Sequence, residues 1–107
     1  MNSKRKGSDG ERELAALLNL AGIAAHRNDQ MYIGGKGNPD VSAELFGRPL
    51  HIEVKRVERL NILEAVEQAI RDADGAFPLV AHRKNRSQWL VTMPLQPLIA
   101  WLKDETS

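Results

Sequence analysis

The fold is decided by residues 38–55, which read NPDVSAELFGRPLHIEVK. Apolar and polar residues alternate on both sides of the turn-forming segment 46–48. Alternation with a period of two is typical of strands that bury one face. The stretch therefore predicts a hairpin with strands over residues 40–45 and 49–55. Its buried face is expected to carry Val41, Ala43, Leu45, Leu50, Ile52 and Val54.

The other face of this hairpin collects ionisable groups. Glu53 and Lys55 are two positions apart, so their side chains project from the same face. If the turn is centred near Gly47, the numbers of paired residues sum to about 94. Asp40 then lies opposite Val54 and diagonal to both Glu53 and Lys55. Two carboxylates and one ammonium group are thus predicted to lie close together.

Such a cluster has an obvious chemical use. Neighbouring carboxylates are costly unless cations compensate them, and Lys55 offsets only one charge. All-oxygen ligation suits Mg²⁺, with Mn²⁺ as a substitute. A metal held by Asp40 and Glu53 would polarise a phosphate and activate a bound water, while Lys55 orients that water or stabilises the transition state. The pattern predicts phosphodiester hydrolysis; a surface hairpin with an exposed salt bridge is the alternative.

The rest of the chain alternates between helical and extended patterns. Apolar residues at helical spacing predict helices over residues 9–21, 61–73 and 95–103. Shorter apolar runs predict strands over 22–28, 78–82 and 88–92, and the glycine-rich segment 29–39 is expected to be a loop. This order predicts an α/β fold, with a mixed central sheet of about five strands flanked by helices. We expect residues 1–107 to form a single domain and 1–7 to be a flexible basic arm.

Composition excludes several classes of protein. The chain has 107 residues and no cysteine, which removes thiol catalysis and cysteine-ligated zinc. A reducing compartment fits this composition, and with no apolar run of membrane-spanning length the cytoplasm is the expected location. The net charge of +1 says little about nucleic acid, but local basic clusters could neutralise DNA phosphates. The residues expected to contact DNA are Lys4, Arg5, Lys6, Lys36, Arg56 and Arg59.

The motifs resemble a known family of nucleases. Pro39-Asp40 followed by Glu53-Val54-Lys55 resembles the PD-(D/E)xK motif of the restriction-endonuclease-like superfamily. RKG at 5–7 and GEREL at 10–14 resemble the N-terminal helix of archaeal Holliday junction resolvases and their phage relatives. The resemblance extends from about residue 4 to residue 92. It implies a restriction-endonuclease-like core and a Mg²⁺-dependent endonuclease that cuts four-way DNA junctions as a homodimer.

The resemblance also implies residue roles. Glu11 would supply a third acidic group, although Ser8-x-x-Glu11 is also a capping-box pattern. Glu13 flanks the apolar stripe of the same helix at a similar angle and stays an alternative. Gln68 and His51 are accessory candidates. The alternative for Gln68 is an ordinary residue on the helix surface, and the alternative for His51 is a spectator. The expected metal ligands are Asp40, Glu53, Glu11 and the backbone carbonyl of Val54; the catalytic set is Glu11, Asp40, Glu53 and Lys55.

Other functions on the same fold stay open. The chain could be another small repair, replication or restriction-type nuclease, although it has little room for a separate sequence-reading module. It could also be a non-catalytic DNA-binding subunit. A dimer interface could involve Trp89, Trp101 and residues 95–102, or the two tryptophans could belong to the core.

Overall fold

A five-stranded mixed sheet runs through the computed structural model, which describes the backbone of residues 3–27 and 39–106 and the side chains of 7–27 and 39–103. The strands lie in chain order, with β3 and β4 parallel and every other neighbouring pair antiparallel. The predicted α/β class and mixed sheet are confirmed. The elements are α1 (Ser3–Leu20), β1 (Ala25–Arg27), β2 (Val41–Leu45), β3 (Arg48–Arg56), α2 (Ile62–Asp72), β4 (Phe77–Arg83), β5 (Leu90–Thr92) and α3 (Leu95–Thr106).

The β2–β3 hairpin has a two-residue turn, so the predicted register is wrong by one residue. Phe46 and Gly47 have φ angles of 53° and 75°. Two central residues with positive φ form the type I′ turn that matches strand twist. Val41 pairs with Ile52, so paired numbers sum to 93. Asp40 precedes β2 and lies outside this regular pairing, because its N–H donates to the carbonyl of Ile52, the residue already paired with Val41.

Helix α1 begins earlier than predicted. It starts at Ser3 instead of Asp9, so the backbone of 3–7, expected to be a flexible arm, is helical. Lysine and arginine favour helices and no proline interrupts this segment, so Ser8 does not act as an N-cap. At its other end, Ile23 N–H donates to Leu18 O at 2.9 Å, and Gly22 has a φ of +89°. This Schellman ending turns the chain back towards the sheet.

The sheet is covered on both faces. One face packs α1 and α3 over a cluster that includes Leu14, Val41, Ile52 and Leu79. The other face packs α2 through Ala65 and Ala69 against Val80 of β4. Because β3 and β4 are central, polar residues on the α2 face of β3 are also buried. No helix in the part of the chain that the structure describes is both long enough and apolar enough to cross a membrane.

Helix α2 joins the two parallel strands and closes the polar face of β3. It starts after Asn61, whose side chain accepts a hydrogen bond from Glu64 N–H at 3.2 Å. This N-cap satisfies one of the free donors at the start of the helix. The observed helix agrees with the predicted one to within a residue. It therefore fixes the distance between the end of β3 and the residues that α2 presents to the sheet.

Candidate active site

Asp40 is held where the β2–β3 ladder ends. Its N–H donates to Ile52 O at 3.0 Å, and its Oδ2 accepts from Val54 N–H at 2.9 Å. Since β2 begins at Val41, the carboxylate takes the place that a strand carbonyl would otherwise fill. A residue's N–H and C=O point to the same side of a strand, so the Val54 carbonyl also faces Asp40.

The surroundings of Asp40 oppose its ionisation. The pKa of Asp40 is raised from 3.8 to about 7, mainly by burial, and the Val54 N–H hydrogen bond acts in the opposite direction. The negative charges of Glu53 and Glu11 and a hydrogen bond with Glu53 contribute to the same increase. The carboxyl groups of Glu53 and Glu11 therefore both act electrostatically on Asp40. A bound cation would relieve that repulsion.

Glu53 is the most enclosed acidic group of the cluster. Its side chain is 3% exposed, and its Oε1 lies 2.8 Å from Nε2 of His51, which is 2% exposed. The two residues are two positions apart on β3 and share its α2 face. His51, predicted as either an accessory or a spectator, is therefore a hydrogen-bond partner of Glu53. One Glu53 oxygen is fixed by this bond, which sets the direction of the carboxyl group.

Glu11 reaches the cluster from α1. Its Oε1 accepts hydrogen bonds from Arg27 of β1, at 3.3 Å from Nε and 3.2 Å from Nη2. Its charge also acts on Asp40, as the pKa of that residue shows. Glu11 therefore lies beside the predicted site, with its carboxylate directed by Arg27.

Glu13 has a different set of partners from Glu11. Its carboxylate accepts from Arg83 Nε at 2.7 Å and Nη2 at 3.0 Å, and from Trp89 Nε1 at 2.7 Å. These bonds to Arg83, together with the one to Trp89, hold the pKa of Glu13 below its usual value. Glu13 thus ties α1 to β4 and the segment before β5.

Lys55 and Gln68 lie on opposite sides of one small hollow. The hollow has a volume of about 270 Å³ and is formed between the end of β3 and α2. Lys55 is half-buried and shares the α2 face of β3 with Glu53. Gln68 is also half-buried, so the structure brings it to the catalytic lysine predicted from the motif.

The donor set fits a hydrated magnesium ion better than a fully caged metal. Among the side chains of 7–27 and 39–103, no three acidic or histidine groups converge closely enough to hold a metal. Asp40 and Glu53 do come together, and Mg²⁺ is commonly held by one or two carboxylates plus waters and substrate oxygens. The pair, with the Val54 carbonyl beside it, fits that mode of binding. Glu11, in contrast, is turned towards Arg27.

Comparison with known proteins agrees with this arrangement. Residues 2–107 match the family model described as "Phage putative PDDEXK endonuclease". The chain belongs to this family. A solved structure of Hjc, a Holliday junction resolvase from Archaeoglobus fulgidus, matches with a TM-score of 0.65 and 32% identity, over 81% of this chain and 76% of that one. No curated protein sequence matches the chain.

Membership of the phage PDDEXK endonuclease family makes the chain a nuclease of the PD-(D/E)xK type. Its restriction-endonuclease-like fold is the one seen in Hjc. The motif residues Glu53 and Lys55 share one face of β3, and the side chain of Asp40 hydrogen-bonds with Glu53. Among them, Glu53 and the adjoining His51 are the most deeply buried.

The basic residues predicted to contact DNA lie in different settings in this endonuclease. The backbone of Lys4, Arg5 and Lys6 is helical, and Lys36 lies outside the described residues. Arg56 is half-buried beneath α1 with its Nε buried. A Cβ on Gly10 would come within 3.0 Å of the Arg56 Cβ, so glycine allows this close packing. Arg59 is exposed and borders the hollow that holds Lys55.

Two features of the endonuclease site were missed by sequence reasoning. The sequence pattern marks Arg27 only as the end of a weak strand, and its bond to Glu11 joins residues sixteen positions apart. No local pattern reports such a pairing. The His51–Glu53 bond was accessible in principle, since the two residues share a strand face, but its partner depended on burial by α2.

The residues predicted as a possible dimer interface differ in burial. Trp101 packs in the core with its ring centroid 5.1 Å from that of Phe77, and Trp89 is half-buried against the same cluster. The two tryptophans therefore follow the core alternative. Leu95, Ile99 and Leu102 on α3 are exposed instead.

Proposed function

We propose that this chain is a magnesium-dependent endodeoxyribonuclease that acts as a homodimer on branched DNA, with a four-way junction as its substrate. The observation that carries the proposal is the close pair of Asp40 and Glu53 carboxyl groups, with Lys55 on the same face of the sheet. The named resolvase with which the chain shares 32% identity supports the choice of substrate. The absence of cysteine supports a cytoplasmic location.

The chain's own residues have separable tasks in this reaction. Asp40, Glu53 and the Val54 carbonyl would hold the metal, which when bound supplies Lewis acidity and lowers the pKa of its water. His51 keeps one oxygen of Glu53 fixed, so the carboxylate presents a constant orientation. Lys55 is placed to orient the attacking water and to stabilise negative charge on the phosphate. Gln68 borders the same hollow and would position the attacking water or a phosphate oxygen through its amide.

A dimer is supported by an apolar stripe on α3. Leu95, Ile99 and Leu102 recur at i, i+4 and i+7, and all three are exposed. Leu98 and Trp101 of the same helix pack into the core, so the stripe faces away from this chain. Two copies joined through such a stripe would present two sites, as paired cleavage of a symmetric junction requires.

The experiment compares cleavage of a synthetic four-way junction, a linear duplex and a single strand, each with Mg²⁺ or with EDTA. The proposal expects paired nicks in the junction with Mg²⁺ only, and light scattering should give the mass of a dimer. Cutting of linear duplex at the same rate would instead indicate another small repair, replication or restriction-type nuclease. Junction binding without any cleavage would indicate a non-catalytic DNA-binding subunit, and would refute the proposed reaction.

A further inference from the structure

A second, larger groove lies beside the candidate active site. It has a volume of about 640 Å³ and runs between the segment after β3, the start of α2 and the β4–β5 connection. Leu60, Ile62 and Leu90 line it with apolar surface, while Arg59 and Lys84 contribute positive charge. Glu58 also lines it, and its Oε2 accepts a hydrogen bond from Asn85 N–H at 2.8 Å. This size is in the usual range for a ligand-binding cleft. The groove is open to solvent at Leu90, whose side chain is 51% exposed.

The groove is continuous with the hollow that holds Lys55 and Gln68. Val57, Arg59 and Leu60 line both depressions. Both also lie at the carboxyl ends of the parallel strands β3 and β4. A DNA strand whose reacting phosphate lies near Lys55 therefore has a direct path past Arg59 and into the groove.

The lining favours one form of nucleic acid. A paired duplex presents phosphates and sugars on its outside and keeps the faces of its bases stacked within. An unpaired strand exposes apolar base faces together with its phosphates, and such strands bind where apolar or planar groups adjoin positive charge. The apolar lining at Leu60 and Leu90 next to Arg59 and Lys84 has this combination. The Arg59 guanidinium is also able to stack on a base.

We propose that this groove binds an unpaired segment of the DNA substrate, one or two nucleotides long, next to the phosphate that is cut. The inference rests on the proposed function, because it takes the groove's position relative to Lys55 as its position relative to the cut. It adds a source of selectivity, since fully paired linear DNA has no unpaired nucleotide to place there. Flaps and single-stranded gaps do, and a four-way junction does where base pairs at its centre open.

The test measures fluorescence anisotropy of a labelled oligo(dT) in EDTA, so that binding is scored without cleavage. Two matched pairs of variants separate the groove from general charge effects. Lys84→Gln removes a positive charge from the groove lining. Arg86→Gln removes a positive charge from the same β4–β5 connection but outside the groove lining. Leu90→Glu adds a charge to the groove, and Val91→Glu adds it to an equally exposed neighbour, at 51% and 52% exposure, on the opposite face of β5.

The proposal expects oligo(dT) affinity to fall about fivefold or more in Lys84→Gln and Leu90→Glu, and less than twofold in their partners. Equal losses within each pair would overturn it, as would a wild-type protein that does not bind oligo(dT). A change of oligomeric state in Leu90→Glu without loss of oligo(dT) binding would also overturn it, by making the groove a protein interface. Failure of the proposed function is scored separately, by absence of junction cleavage in the wild type.

Discussion

Nε2 of His51 lies 2.8 Å from Oε1 of Glu53, and both side chains are almost completely buried. A carboxylate that is oriented by a buried partner loses little freedom when it binds a cation. In the proposed function, Glu53 would therefore be oriented for a cation before that cation binds. This relationship links the packing of α2 over β3 to the chemistry of the site.

Removal of the His51 ring should weaken metal binding. In His51→Leu the Glu53 carboxyl group loses its partner, so we expect the Mg²⁺ concentration for half-maximal cleavage to rise about tenfold or more. Calorimetric titration of the protein with Mg²⁺ or Mn²⁺ measures the same loss without DNA. His26→Leu, at an exposed position of β1, is the matched control. Unchanged metal affinity in His51→Leu would show that the bond only supports the fold.

Replacement of Asp40 should stabilise the metal-free protein. The pKa of Asp40 is raised from 3.8 to about 7, so its protonated form favours folding and that contribution is lost as pH rises through this range. The substitution Asp40→Asn introduces an amide that cannot ionise and that keeps an acceptor for Val54 N–H. In EDTA, this variant should gain roughly 2–4 kcal/mol over the wild type above pH 7, and little near pH 4. Urea unfolding at several pH values measures this; a pH-independent difference would contradict the electrostatic account.

The two glutamates of α1 should respond in opposite ways. Glu13→Gln breaks the bonds to Arg83 and should lower the free energy of unfolding by about 1–3 kcal/mol, with cleavage retained. The pKa of Glu13 is lowered, so its stabilisation is present near neutral pH and is lost as pH falls through the folded pKa. Glu11→Gln should instead slow cleavage with little effect on unfolding. Equal activity losses would mean that Glu13 also serves the site.

Lys55 should matter for the rate of cleavage and not for metal binding. Lys55→Met should slow cleavage by about a hundredfold or more, since charge stabilisation at a transferring phosphate is removed. Calorimetry should show unchanged Mg²⁺ affinity. Lys103→Met, on the helix that packs against the other face of the sheet, is the control. A weakened metal affinity with a normal maximal rate would give Lys55 a different role.

Sequence patterns predicted the fold well because the local alternation of apolar and polar residues identifies the strands. Alternation over residues 40–55 identified β2, β3 and the face shared by Glu53 and Lys55. The register failed by one residue, because Phe46 adopts a positive φ that a two-residue turn requires and that its residue type does not suggest. The predicted start of α1 was wrong because basic residues form helices as readily as flexible arms.

Sequence patterns could predict the site residues that share one strand. They could not predict contacts between elements that are far apart in the sequence. Periodicity could not separate Glu11 from Glu13, since both flank the same stripe. The structure separates them by their partners: Arg27 for Glu11, and Arg83 with Trp89 for Glu13. These partners come from distant parts of the chain, so the packing of α1 on the sheet determines the contacts of each glutamate.

Asp40 and Glu53 are proposed to form a metal-dependent phosphodiesterase centre. The direct measurement is the cleavage rate of a four-way junction with Mg²⁺ or EDTA, for the wild type, Asp40→Asn and the control Asp9→Asn, which alters a side chain that is 40% exposed. We predict Mg²⁺-dependent cleavage by the wild type and Asp9→Asn, and none by Asp40→Asn, although that variant folds more stably and still binds the junction. Cleavage by Asp40→Asn at the wild-type rate, or undiminished cleavage in EDTA, would contradict the claim.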